Sequence, residues 1–137
     1  MHSVLMSDRS FRPTQFGWMT YLVRKVTKKW KLLCIGDLIR VRAESSSDDI
    51  FVKVTDIVIS NDIQTIVNSR NYLNICPWAC SVPMAKQSLA ISLFGVNDLP
   101  SSLPEPLILI NFTLCDNIPD LNKKRTQQCF ELTRSII

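Results

Sequence analysis

The stretch Ile50-Phe51-Val52-Lys53-Val54-Thr55-Asp56-Ile57-Val58-Ile59 decides the reading of this chain. β-Branched residues dominate it, and the run is apolar around one acid, the composition of a strand. Ser60-Asn61-Asp62 follows as a polar turn, and Ile63-Gln64-Thr65-Ile66-Val67 alternates again, so a hairpin of two strands is expected. Upstream, Leu38-Ile39-Arg40-Val41-Arg42-Ala43 puts Arg40 and Arg42 on one face and Ile39 and Val41 on the other. Glu44-Ser45-Ser46-Ser47-Asp48-Asp49 must then be the surface loop that joins this strand to the next.

Working outward, Met19 to Val23 and Trp30 to Ile35 read as earlier strands, Ser88 to Val96 and Leu107 to Leu114 as later ones. Pro77 and Pro83 bracket a compact connection in which Trp78 plugs the core, and Asn97 to Pro106 is a proline-rich loop. Residues 1–10 read as a loose tail, and Asp120 caps a closing helix from about Leu121 to Ser135.

At 137 residues the chain is one domain's worth, enough to bury about two-thirds of its unfolded surface. Its 46% hydrophobic and 20% charged residues are those of an ordinary folded protein. No run approaches the roughly 18 apolar residues of a membrane span, and the first ten residues lack the pattern of a secretory signal. A soluble intracellular chain without membrane contact is expected. The five cysteines are odd in number and irregularly spread; Cys76 and Cys80 have a spacing seen in zinc sites, but a second ligand pair is missing and His2 is the one histidine. Reduced, buried thiols are expected, with no metal and no cofactor.

Charge divides the chain unevenly. Residues 1–42 carry nine Lys/Arg against Asp8 and Asp37, residues 43–120 three against nine acids, and residues 121–137 four against Glu131. The basic density peaks at Arg24-Lys25 and at Lys28-Lys29-Trp30-Lys31, where lysines could follow a phosphate backbone while the indole stacks on a base. The same pattern also describes a solvated segment that keeps a sheet edge soluble. No Gly-rich phosphate loop, nucleophile motif or convergent set of carboxylates supports catalysis, so a non-enzymatic binding module is expected.

The order of landmarks resembles the Tudor domain family in its extended form. Its entry pattern of proline and aromatics is echoed by Pro13-Thr14-Gln15-Phe16-Gly17-Trp18, and its W-Y-R-A-x-V strand by Leu38 to Ala43. Its V-x-F-V-D-Y-G-N strand is echoed by Val52 to Ile59, its later proline-to-glycine pattern by Val82 to Val96, and its closing F-x-x-L by Phe130 to Thr133. The resemblance implies a mainly β fold: a small Tudor/SH3-like barrel, about residues 36–75, joined to an OB-type, staphylococcal-nuclease-like barrel from residues 11–35 and 76–137 with a C-terminal helix. Residues 11–137 would form that single unit behind a flexible tail at 1–10.

The family's aromatic cage for methylated arginine maps onto Ile39, Val54, Ile57 and Ile59, which carry no ring quadrupole for a cation. The resemblance therefore implies a lost methylarginine cage, and an aliphatic face left for a protein partner. By resemblance the partner is a Piwi-type or another Tudor-type protein, in small-RNA (piRNA) silencing within cytoplasmic, perinuclear germ granules, with the nucleus as the other compartment. Asp56 would brace Arg40 by the resemblance, and the alternative is a lone exposed acid at a strand end. The alternative expectation is an OB-like module for RNA or single-stranded DNA that uses Lys25, Lys28, Lys29, Trp30 and Lys31.

Overall fold

The structure, a computed structural model, describes residues 2–115. Asp49–Asp62 is its spine, a single strand (β4) that pairs with Leu38–Ala43 (β3) on one side and Ser102–Leu114 (β5) on the other, both antiparallel. β3 also pairs in parallel with His2–Met6 (β1), and β5 pairs antiparallel with Tyr21–Lys25 (β2). The order β1-β3-β4-β5-β2 makes one five-stranded sheet, curled into a half-barrel, with β1 and β2 as its two edges. The fold is thus mainly β, and one sheet holds every described strand. No helix among the described residues is long and apolar enough to cross a membrane.

Each face of the sheet has its own core. Leu22, Ile39, Val41, Val52, Val54, Ile108, Ile110 and Phe112 pack with Val4, Met6, Phe11 and Trp30 on one face. Val23, Leu107 and Leu109 pack on the other with Ile63, Ile66, Ile75, Ala85 and Leu89. Burial of both faces explains why residues 107–110 read as continuously apolar rather than alternating. The helices Asp8–Gln15 (α1) and Lys28–Lys31 (α2) contribute Phe11 and Trp30 to the first core. Ile63–Ile66 (α3), Tyr72–Ile75 (α4) and Val82–Leu89 (α5) contribute to the second.

A register shift between Val54 and Asp56 leaves Thr55 as an extra residue in β4. Such a bulge reverses the parity of the strand. Val52 and Val54 face the first core before it, and Ile57 packs against that core after it while Val58 turns to the second. Asp56 is carried to the surface.

Several expected elements take other forms. Residues 63–67 do not return as a strand: Asp62 caps a helical turn, its carboxylate accepting from Gln64 N and Thr65 Oγ1 at 3.1 Å each. Ser88 to Val96 is helical as well. Ser81 caps α5, Pro83 sits in its first turn, and a π-helical continuation over Ala90–Phe94 stops at Gly95, whose φ of 67° is the left-handed C-terminal signal. In place of the loose tail expected over residues 1–10, residues 2–10 hold the edge strand β1 and the start of α1, with Val4 and Met6 buried. Trp30 to Ile35 forms α2 and a turn instead of a strand. Pro104 and Pro106 lie inside β5, in the part beyond its pairing with β2, where an imide nitrogen costs no ladder bond. The expected helix at 121–135 and the Phe130 to Thr133 pattern lie outside the described residues.

Candidate functional site

The residues singled out from sequence are largely structural. Ile39 and Val54 are 0% and 1% exposed in the first core, so they cannot form a docking face; Ile57 is half-buried against the same core, and Ile59 alone is exposed. The four positions therefore do not make one surface: the bulge at Thr55 turns Ile57 toward the core that holds Val54, and burial of Ile39 and Val54 leaves Ile59 exposed without them. Arg40 is not braced by Asp56. Its Nε and Nη2 reach Asp49 Oδ2 across the β3–β4 hairpin at 2.7 and 2.6 Å. A double-mutant cycle of Arg40→Met with Asp49→Asn is expected to give a coupling of about 0.5–1 kcal/mol in unfolding free energy, whereas Arg40→Met with Asp56→Asn gives none.

The basic stretch is divided as well. Trp30 is 5% exposed and stacks on the His2 ring at 6.3 Å between centroids, so its indole is not free to receive a base. Lys29 lies over Trp30 and donates from Nζ to the Ser3 carbonyl of the edge strand β1. Lys25 pairs with Glu105 at 3.7 Å and lies 4.7 Å from the Phe94 ring centroid. Lys28 and Lys31 are exposed without an ion pair among the described residues.

The open side of the half-barrel holds a different group. Leu5 and Met6 at the end of β1, and Leu22, Val23 and Arg24 of β2, line one cavity of about 550 Å³. The two sheet edges thus face each other across it. α1 adds Arg9 and Ser10, the segment after α4 adds Cys76 and Trp78, and α5 with its π-helical end adds Ser88 and Ser92. Neither sequence clustering nor a motif announces this set, since five separated segments supply it.

Arg24 is the central cation. Burial lowers its pKa from the ordinary arginine value, and its Nη1 donates to the Val23 carbonyl at 2.8 Å. Among the described residues no carboxylate lies within ion-pair reach of it. Glu44 belongs to the same lining but forms no ion pair with either arginine. Arg9 stacks over Trp78 at 4.3 Å from the ring centroid. The Trp78 Nε1–H is buried with no acceptor among the described residues. A half-buried guanidinium with no anion is costly, and the cavity offers cations, hydroxyls and a ring to whatever anion would relieve that cost.

Cys76, buried in the same wall, is no nucleophile. Burial pushes its thiol up to about 11 from an ordinary 9.0, against the opposing effects of a Ser88 hydrogen bond and the Arg9 charge. The folded state holds this proton more tightly than the unfolded chain, so its contribution to stability is complete below about pH 9 and is lost as pH rises through about 11. In native protein at about pH 8, iodoacetamide is expected to label the exposed Cys34 and Cys80 and to spare Cys76 until denaturant is added, as peptide mass mapping would read. The expectation of buried thiols is met at Cys76 but not at Cys34 or Cys80. No group of three His, Cys, Asp or Glu among the described residues could hold a metal ion.

Comparison with known proteins yields a fold likeness. No protein-family model matches the chain, and no curated protein matches it. A crystal structure of the hypothetical protein PH0355 is similar, with a TM-score of 0.65 over 82% of this chain and 97% of that one at 13% identity. At that identity the likeness shows the architecture alone.

Proposed function

We propose that this chain is a non-catalytic nucleic-acid-binding module that holds a single-stranded segment at the cavity between β1 and β2, with Arg24 and Arg9 toward its phosphates. The observation that carries the reading is Arg24, a desolvated guanidinium in a cavity wall with no carboxylate partner among the described residues. Arginine at such a place suits a planar oxyanion such as phosphate. Lys28 and Lys31 add an exposed basic field without an ion pair among the described residues.

The protein-scaffold reading depends on an exposed aliphatic face, and burial of Ile39 and Val54 removes that face. The paired Tudor and OB barrels, with their germline setting, draw no support from a single curled sheet.

Titration of a labelled single-stranded oligouridylate against salt tests the proposal. The affinity is expected to fall with a log–log slope of about −0.7 for each phosphate neutralised. Binding that does not change between about 50 and 200 mM salt, or no binding at the lower value, refutes it. A DNA oligomer of matching sequence separates a need for the 2′-hydroxyl from backbone binding alone.

A further inference from the structure

We infer that the exposed ring pair Phe16–Trp18 is a base-stacking platform that extends the cavity along α1, taking the bases of a single strand whose phosphates follow Arg9 and Arg12. The inference rests on the nucleic-acid reading above and adds to it a second contact surface.

The helix builds this surface by its period. Arg9, Arg12 and Phe16 stand at i, i+3 and i+7, one stripe of α1 and its C-cap, while Phe11 and Thr14 point the other way into the protein. All three stripe residues are exposed, and Arg12 donates from Nη1 to the uncharged Gln15 Oε1 at 3.0 Å, with no ion pair among the described residues. Arg9 belongs to the cavity lining, and Phe16 lies about 10 Å further along the helix axis at 1.5 Å per residue. The stripe therefore leads from cation to cation to ring.

The ring pair is held by a formed backbone. Gly17, at a φ of 80°, lets the chain reverse at the end of α1, and Trp18 N and Met19 N both donate to the Pro13 carbonyl at 2.9 and 3.1 Å. This brings the Trp18 ring to 5.4 Å from Phe16 between centroids, with 36° between planes. Asn74 clamps the far side: its Nδ2 donates to the Trp18 carbonyl at 3.2 Å, and its own carbonyl accepts from Thr20 N at 3.0 Å. Met19 and Ile75, next to the clamp, both line the cavity, so platform and cavity are continuous. Each ring is 64% exposed. Two large aromatics fixed at the surface, beside cations rather than within an apolar patch, match the stacking-plus-phosphate pattern of single-strand binding.

The test compares a labelled oligouridylate dodecamer with a trimer on the full chain, for wild type, Phe16→Ala/Trp18→Ala and Arg24→Met, by fluorescence anisotropy. The double variant is expected to bind the dodecamer roughly 5- to 100-fold more weakly, with the salt slope and the trimer affinity unchanged. Its melting temperature should match wild type because both rings are exposed. If the double variant binds the dodecamer as wild type does while Arg24→Met loses it, the ring pair belongs to a protein contact or to none, and the platform fails while the cavity reading stands. Failure of wild type to bind either oligomer removes both.

Discussion

Arg24→Met is expected to weaken oligonucleotide binding by roughly 10- to 150-fold, the equivalent of the 1.5–3 kcal/mol typical of a charge-assisted hydrogen bond, and to lower the salt slope by about 0.7. The same substitution leaves unfolding free energy unchanged or raised. Arg24 has its pKa lowered by burial, donates to the Val23 carbonyl of its own strand, and has no carboxylate within reach among the described residues. Methionine retains the stem that packs beside the cavity and sheds the charge whose desolvation nothing offsets. Opposite signs for binding and stability are the mark of a residue kept for its ligand. A denaturant melt beside the anisotropy titration reads both, and a loss of stability by more than about 1 kcal/mol would instead make Arg24 a structural residue whose bond to Val23 holds the edge of β2. Arg24→Lys separates geometry from charge, since it keeps the cation but not the planar fork.

The sheet was legible where alternation carried it. β3 occupies the residues whose period of two put Ile39 and Val41 inward, and residues 107–110 of β5 are buried on both faces as their apolar run implied. What alternation could not reveal was the bulge at Thr55, because one extra residue leaves no mark in a run of β-branched side chains. It reverses the inward parity within the stretch that sets the fold and so turns Ile57 toward the core that holds Val54; the matching of Ile39, Val54, Ile57 and Ile59 as one pocket fails because Ile39 and Val54 are buried in that core. The helical form of residues 82–94 had a signal: Ala85 and Leu89, four apart, are buried behind the Ser81 cap. β-propensity of Ile91, Leu93 and Phe94 masked it. The cavity had no comparable signal. Arg9, Arg24, Cys76, Trp78 and Ser88 come from four separated segments, and only the curl that brings β1 opposite β2 assembles them. The lysine cluster, conspicuous in sequence, turns out in part to cap the sheet: Lys29 covers the Ser3 carbonyl of β1, a cationic guard on an open edge.

Ile39→Tyr and Ile59→Tyr are expected to part company, although both place a ring at a position equivalent to the aromatic cage. Ile39 is 0% exposed, opposite Val52 on β4 and within the first core. A tyrosine there overfills a close-packed site and buries a hydroxyl without an acceptor, costs that together reach about 2 kcal/mol or more. Against the 5–15 kcal/mol of a typical domain this lowers the melting temperature by on the order of 5 °C or more. Ile59, beyond the bulge, is 53% exposed, and the same substitution should change stability by no more than about 0.5 kcal/mol. Neither variant should gain affinity for a dimethylarginine peptide, because Val54 at 1% exposure cannot join the surface on which Ile59 sits. Thermal melts and peptide titration decide the matter together. A wild-type melting temperature for Ile39→Tyr, accompanied by saturable peptide binding, would mean that these positions do enclose a pocket and that Ile39 does not pack inward.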